Sequence, residues 1–285
     1  MKTPKRIQPL VEAGLVDEVL RRLMSGKEAD VFVVRCGDEI RCAKVYKEAA
    51  KRSFKKAALY QEGRKVRNSR RARAMEKGSK FGRKQQEETW QSAEVDALFK
   101  LANAGVRVPQ PHICLEGVLL MELVTDEDGD VASRLSDVSM SEEQALEDHA
   151  LVMHYVKLML CAGLVHGDLS EFNVLVNQDG PVIIDLPQAV DAAGNNNARS
   201  MLERDIENMN HYYGQFAPEL LNARYAQEMW QLFEDGELTP ETELTGQFKV
   251  EEVAADVDSI MEEIKAAMEE EQERLERIKD ANNPE

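Results

Sequence analysis

The sequence predicts an α+β protein of two lobes, an antiparallel sheet first and a mainly helical lobe second. Three observations predict it. Short apolar runs separated by turn residues occupy Val31–Arg35, Ile40–Tyr46, Ile113–Leu115 and Val118–Leu123. The acidic stretch Thr125-Asp126-Glu127-Asp128-Gly129-Asp130 then breaks that pattern. Beyond it, apolar residues recur at helical spacing, led by Leu146, Ala150, Met153, Val156 and Leu160. The boundaries that follow are a first lobe over residues 1–120, a hinge over 121–126, a second lobe over 127–235 and an acidic, partly helical tail over 236–285.

A chain of 285 residues with 43% hydrophobic content can bury a sizeable core, which excludes a disordered protein. It has no run of about 18 apolar residues, so no membrane span is expected. The basic start Met1-Lys2-Thr3-Pro4-Lys5-Arg6 leads into a mixed segment rather than the apolar core of a secretory signal. Cys36, Cys42, Cys114 and Cys161 form no C-x-x-C pair and sit in apolar settings, as free thiols of a reducing, cytoplasmic environment do. Five scattered histidines give no zinc-like spacing.

Taken in order, residues 9–24 read as an amphipathic helix, with Leu10, Leu15, Val19, Leu20 and Leu23 recurring near helical spacing. Ser25-Gly26-Lys27-Glu28-Ala29 is a small turn into the first hairpin, suited to bringing backbone N–H groups toward phosphate oxygens. Lys44, flanked by apolar residues on a strand, needs a partner if it is buried. The helix expected over Trp90–Asn103 offers Glu94, and Glu87 lies just before it. Between Lys44 and that helix, residues 51–84 hold fourteen Lys or Arg against Glu62 and Glu76, a balance of +12 in a chain of net charge −17. Two readings stand: an arm for RNA or a ribosomal particle, or a solvated insertion facing the protein's own acidic surface.

Val108-Pro109-Gln110-Pro111 forbids helix and predicts extended chain. Met121 and Glu122 end the last strand at the hinge, where backbone groups suit an adenine edge. Asp126, Glu127 and Asp128 read as a solvated loop rather than a metal cluster. Ser141-Glu142-Glu143-Gln144 is a capping box for a helix to Cys161, which Gly163 ends. Helices follow over Arg199–Tyr213 and Pro218–Phe233, and Asp205 is a candidate buried cap or scaffold acid near the catalytic loop. Residues 235–285 carry seventeen acidic and five basic residues. A helical stripe there (Val253, Val257, Ile260, Ile264) leaves three roles open: docking on the body, pairing with the basic segment, or binding a partner.

The most informative stretch is His166-Gly167-Asp168-Leu169-Ser170-Glu171-Phe172-Asn173 with Val182-Ile183-Ile184-Asp185. It places Asp168 and Asn173 before a tight hairpin and Asp185 at its far end. Two carboxylates and an amide so spaced suit phosphoryl transfer from ATP: one carboxylate takes the attacking hydroxyl's proton, while the amide and the second carboxylate hold a divalent metal.

With Ser25-Gly26-Lys27-Glu28-Ala29, Ala43-Lys44-Val45-Tyr46, Leu119-Leu120-Met121-Glu122 and the catalytic stretch together, residues 9–235 resemble the RIO-type atypical protein kinases, nearest the subfamily without an N-terminal winged helix. The resemblance implies a bilobed protein-kinase-like fold with a reduced activation segment, and ATP with Mg²⁺ or Mn²⁺. It implies Lys44 on the phosphates paired with Glu94, Asp168 as the acid–base residue, and Asn173 and Asp185 on the metal. It also implies Ser25, Gly26 and Lys27 over the triphosphate, Met121 and Glu122 beside adenine, and Ser170 near the transferred phosphate, where typical protein kinases carry a lysine. Serine autophosphorylation and small-subunit ribosome maturation are further implications. Two other readings remain, a conformational ATPase acting on ribosomal precursors and an ATP-gated RNA-binding adaptor using residues 51–84. Oligomeric state and physiological substrate are not encoded in these patterns.

Overall fold

The computed structural model describes residues 3–26, 29–47 and 93–248. Its first lobe is a five-stranded antiparallel sheet in the order β1-β2-β3-β5-β4. The strands are β1 (Glu18–Ser25), β2 (Ala29–Cys36), β3 (Glu39–Tyr46), β4 (Pro111–Leu115) and β5 (Val118–Glu122). Period-2 alternation gives this sheet two working faces. Phe32, Val34, Ala43, Val45, Val118 and Leu120 pack on one face with Ile7, Leu10, Val16 and Val19. On the other face, Ala29, Tyr46 and Leu119 join the main core with helix α2, residues 93–103. With both faces covered, β2 reads as a nearly continuous apolar run.

The single helix expected over residues 9–24 does not form. Helix α1 is only Gln8–Glu12, and Gly14 follows it in the left-handed region at φ +69°. From Glu18 the chain is β1, paired with β2 but with register shifts between Val19 and Arg21 and between Arg22 and Met24. Each bulge inserts a residue and flips the alternation. The apolar residues of β1 therefore fall at spacings that imitate a helix.

The second lobe follows its sequence pattern more closely. Helix α3 (Glu142–Cys161) begins where the capping residue places it, with the Gln144 N–H donating to Ser141 Oγ at 3.2 Å. Strands β8 (Val174–Asn177) and β9 (Gly180–Ile183) form the expected hairpin, and β6 (Ser133–Arg134) adds to β8. Helix α4 is Ala198–Tyr213. The helix expected over Pro218–Phe233 is instead a 3₁₀ turn, Pro218–Asn222, followed by α5, Tyr225–Glu234. A two-residue ladder between β7 (Leu164–Val165) and β10 (Val190–Asp191) closes the chain around the catalytic stretch.

Compact packing continues through Gln247. The Lys157 ammonium donates to the Thr242 carbonyl at 2.7 Å, and the Arg224 N–H donates to the Gly246 carbonyl at 2.7 Å. Glu228 receives the N–H groups of Thr245 and Gly246. Residues 236–247, drawn from composition as the start of the tail, thus lie on α3 and α5. The helical stripe expected in the rest of the tail and the basic segment 51–84 lie outside the described residues. Among those residues, no helix is long and apolar enough to cross a membrane.

Gly246 is where this strap is most sensitive. Its φ is +67°, and a methyl group there would come within 2.7 Å of the Tyr225 ring. Gly246→Ala is expected to lower stability by about 1–3 kcal/mol, read as a reduced thermal midpoint with native circular dichroism retained at low temperature.

Candidate functional site

The site is built from the catalytic loop upward. The loop between β7 and β8 has no ladder of its own, so side chains hold its backbone. The buried Asp205 carboxylate on α4 accepts the Gly167 N–H at 2.7 Å on one oxygen and the Leu169 N–H at 3.1 Å on the other. These donors flank Asp168. The Arg204 guanidinium donates to the Gly167 carbonyl, and Asn208 Nδ2 donates to the Leu169 carbonyl at 2.9 Å. Asp205 is thus the scaffold acid that its position suggested. Burial pushes it up to about 6, against the opposing pull of His166, the two backbone donors and Arg204.

His166 ties the loop to the second strand of the hairpin. The Asp168 N–H donates to His166 Nδ1 at 3.3 Å, so Nδ1 is the acceptor nitrogen. Nε2 then carries the proton and donates to the Ile184 carbonyl at 3.1 Å, one residue before Asp185. Asn173 Nδ2 donates to the Asp168 carbonyl at 2.8 Å, and the Ile184 N–H donates to the Asn173 carbonyl at 2.9 Å. Asp168, Asn173 and Asp185 are thereby cross-braced. Asp185 adopts φ +67°, the left-handed region, which is unusual for a side chain other than glycine.

Lys44 reaches the same place from β3. Its ammonium lies 2.5 Å from Glu94 Oε1 on α2 and 3.3 Å from Asp185 Oδ1. Burial disfavours its charge, but the two carboxylates outweigh that and hold the ammonium above the ordinary lysine range. Of the two partners open on sequence grounds, Glu94 makes the contact, and Glu87 lies outside the described residues. The Tyr46 ring centroid is 5.6 Å from the same ammonium.

A cavity of about 480 Å³ opens between the lobes. Its walls include Lys44, Glu94, Asn173 and Asp185 at one end and Met121, Glu122 and Val124 at the hinge. Val31, Leu175 and Ile184 supply apolar surface above and below. This volume and lining suit a purine nucleotide. Met121 and Glu122 stand where an adenine edge is expected. The Glu122 side chain is engaged elsewhere, in a bidentate pair with Arg107 at 2.7 and 2.8 Å. The backbone N–H of Gln110 also donates to it, at 2.9 Å.

Gly26 lines the cavity, and Ser25 precedes it at the end of β1. Ser25 Oγ donates to Asp30 at 2.6 Å, and the Gly26 N–H closes the turn on the Ala29 carbonyl at 2.9 Å. Lys47 braces the turn by donating to the Gly26 carbonyl at 2.6 Å. Lys27 lies outside the described residues. Ser170 is half-buried, and its carbonyl receives the Asn173 N–H at 2.9 Å. Asp126 accepts the N–H groups of Asp128 and Asp130, as the acid of a self-bonded turn does.

The sequence did not single out Arg107 or Gln188. Gln188 Nε2 donates to Asp168 Oδ2 at 2.8 Å. The signal for Gln188 was its place three residues after Asp185, on a turn where Leu186 and Ala189 are apolar anchors. Arg107 left no local signal, because its partner Glu122 is fifteen residues away.

A sheet lobe carrying a carboxylate-paired lysine, facing a helical lobe whose loop and hairpin carry Asp, Asn and Asp in that order, defines a protein-kinase-like molecule. Sequence comparison narrows the class, with the RIO domain matching residues 30–226. The RIO-type serine/threonine-protein kinase Rio1 of Haloferax volcanii is 36% identical over 208 residues, 73% of this chain and 67% of that protein. Its counterpart in Methanocaldococcus jannaschii is 33% identical over 190 residues, 66% of this chain and 60% of that protein. Human serine/threonine-protein kinase RIO1 is 29% identical over 234 residues, 81% of this chain but only 39% of the human protein. The chain belongs to the RIO family.

Asp205 generates a pH prediction. Its carboxyl has a folded value of about 6 against an ordinary 3.8. Between those values the folded chain retains a proton that the unfolded chain has released. The wild type should therefore lose stability relative to Asp205→Asn as pH rises through that window, with no further change above it. Urea unfolding of both proteins at about pH 4.5 and about pH 7 checks the sign.

Proposed function

We propose that this chain is an ATP-dependent serine/threonine protein kinase that also phosphorylates itself. The observation that carries the reading is the convergence of Lys44, Asn173 and Asp185 on one end of the interlobe cavity, with Asp168 bonded to Asn173 and to Gln188 beside it. Asp168 accepts the proton of the acceptor hydroxyl as that oxygen bonds to the γ-phosphorus of ATP. The bond from the γ-phosphorus to the β,γ-bridging oxygen breaks, and ADP departs. Lys44, held by Glu94, neutralises charge on the α- and β-phosphates. Ser25, Gly26 and Lys27 are the residues we assign to the triphosphate, Met121 and the Glu122 backbone those beside adenine, and Ser170 the one near the transferred group.

Asn173 and Asp185 are the residues to hold a divalent cation, Mg²⁺ or Mn²⁺. The donor chemistry fits: the Asn173 nitrogen is committed to the Asp168 carbonyl, so its oxygen is the end turned away from that contact. Hard oxygen donors of this kind suit either ion. Held by Asn173 and Asp185, such an ion would supply positive charge to offset the negative charge that develops during transfer.

The setting we propose is cytoplasmic. The basic balance of residues 51–84 favours an additional contact with RNA or a ribosomal particle, which is also what the conformational-ATPase reading would use.

Transfer of radiolabelled phosphate to the protein itself and to a general Ser/Thr substrate tests the reading. Asp168→Ala is expected to reduce transfer by about 10²–10⁴-fold while ATP still binds. Lys44→Ala is expected to weaken ATP binding as well as transfer. Equal labelling of wild type and Asp168→Ala would exclude a kinase, and phosphate release without label on protein would favour an ATPase. For the basic segment, replacing its Lys and Arg residues with Gln is expected to abolish salt-dependent RNA binding. Unchanged binding would remove that contact from the proposal.

A further inference from the structure

The turn after Asp185 carries a group that the transfer reaction has not yet used. Leu186 is 2% exposed and Ala189 7%, and the Ala189 N–H donates to the Leu186 carbonyl at 3.0 Å. Two buried anchors and one backbone bond fix the direction of the half-buried side chain between them. That side chain is Gln188, which faces the cavity and donates Nε2 to Asp168 Oδ2 at 2.8 Å. The identity of the contacting atom follows from chemistry. An ionised carboxylate only accepts, so it is the amide nitrogen that faces it.

We infer that Gln188 is a positioning residue for phosphoryl transfer, orienting the Asp168 carboxylate through this amide. The inference rests on the kinase reading above. Asn173 fixes the Asp168 backbone through its carbonyl, a contact that does not involve the carboxylate itself. A bond to Oδ2 fixes the plane of the carboxylate, and with it the direction from which a hydroxyl proton can be taken. A neutral amide does this without adding a positive charge beside the base. Lysine or arginine in its place would orient the carboxylate but make it a poorer proton acceptor. Because Gln188 lies three residues after Asp185, one rigid turn sets both the metal-side carboxylate and the orientation of the base.

Four variants test this: Gln188→Ala, Gln188→Glu, Asp168→Ala and the Asp168→Ala/Gln188→Ala double. Single-turnover transfer rates, the KM for ATP and the thermal midpoint are measured for each. Gln188→Ala should lower kcat by about 10- to 100-fold, the scale of one hydrogen bond to a charged group, with the KM for ATP and the midpoint unchanged. Gln188→Glu keeps the size but sets a like charge against Asp168, and should be at least as slow. In the Asp168→Ala background, removing Gln188 should cost nothing further, because it acts only through that carboxylate. Wild-type kcat in Gln188→Ala or Gln188→Glu would overturn the inference, as would a further tenfold loss in the double variant. Those results leave the kinase reading standing, whereas wild-type transfer by Asp168→Ala would remove both.

Discussion

The structure depends first on one buried carboxylate. Asp205 receives the backbone N–H groups on either side of Asp168, and without it the catalytic loop would have two polar groups turned into an apolar core. An unsatisfied buried donor costs about 1–3 kcal/mol, so the loop can take this path only while α4 supplies the acceptor. Burying the carboxylate has its own cost, visible in its raised proton affinity. The helical lobe is in this sense a scaffold that presents a buried carboxylate to the catalytic loop.

The second constraint crosses between lobes. Lys44 belongs to the sheet, Glu94 to α2 and Asp185 to the hairpin of the second lobe, and one ammonium contacts both acids. The sheet register makes this possible. Lys44 pairs with Val31 on one side and Leu119 on the other, so its side chain must emerge on the cavity face. At the hinge, Arg107 holds Glu122 by its side chain and receives the Ile183 N–H on its carbonyl at 2.9 Å. The cleft is therefore fastened at its back and at its chemical end.

Much of this was legible in the sequence where the signal is local. Ser141 marked the start of α3, and the turn residues between Val176 and Pro181 marked the hairpin. The motif residues Lys44, Asp168, Asn173 and Asp185 proved to be gathered in one place. Other features were not legible, for physical reasons. The bulges of β1 erased its alternation and left a pattern that mimics a helix. Two-residue strands such as β6 and β7 are too short to carry any periodicity. The partners of Arg107 and Gln188 depend on how the chain returns to itself, and no spacing rule reports that.

The short ladder between β7 and β10 has a consequence for how the molecule is assembled. It encloses Asp168, Asn173 and Asp185 within one continuous excursion of chain from Leu164 to Asp191. Contacts made inside such an excursion have low sequence separation, so little chain entropy is lost in bringing their ends together. The acid–base and metal-side groups can find one another as a local event. Docking of this excursion on α4, its contacts with β6 and Arg107, and the arrival of Lys44 from the sheet are then long-range closures.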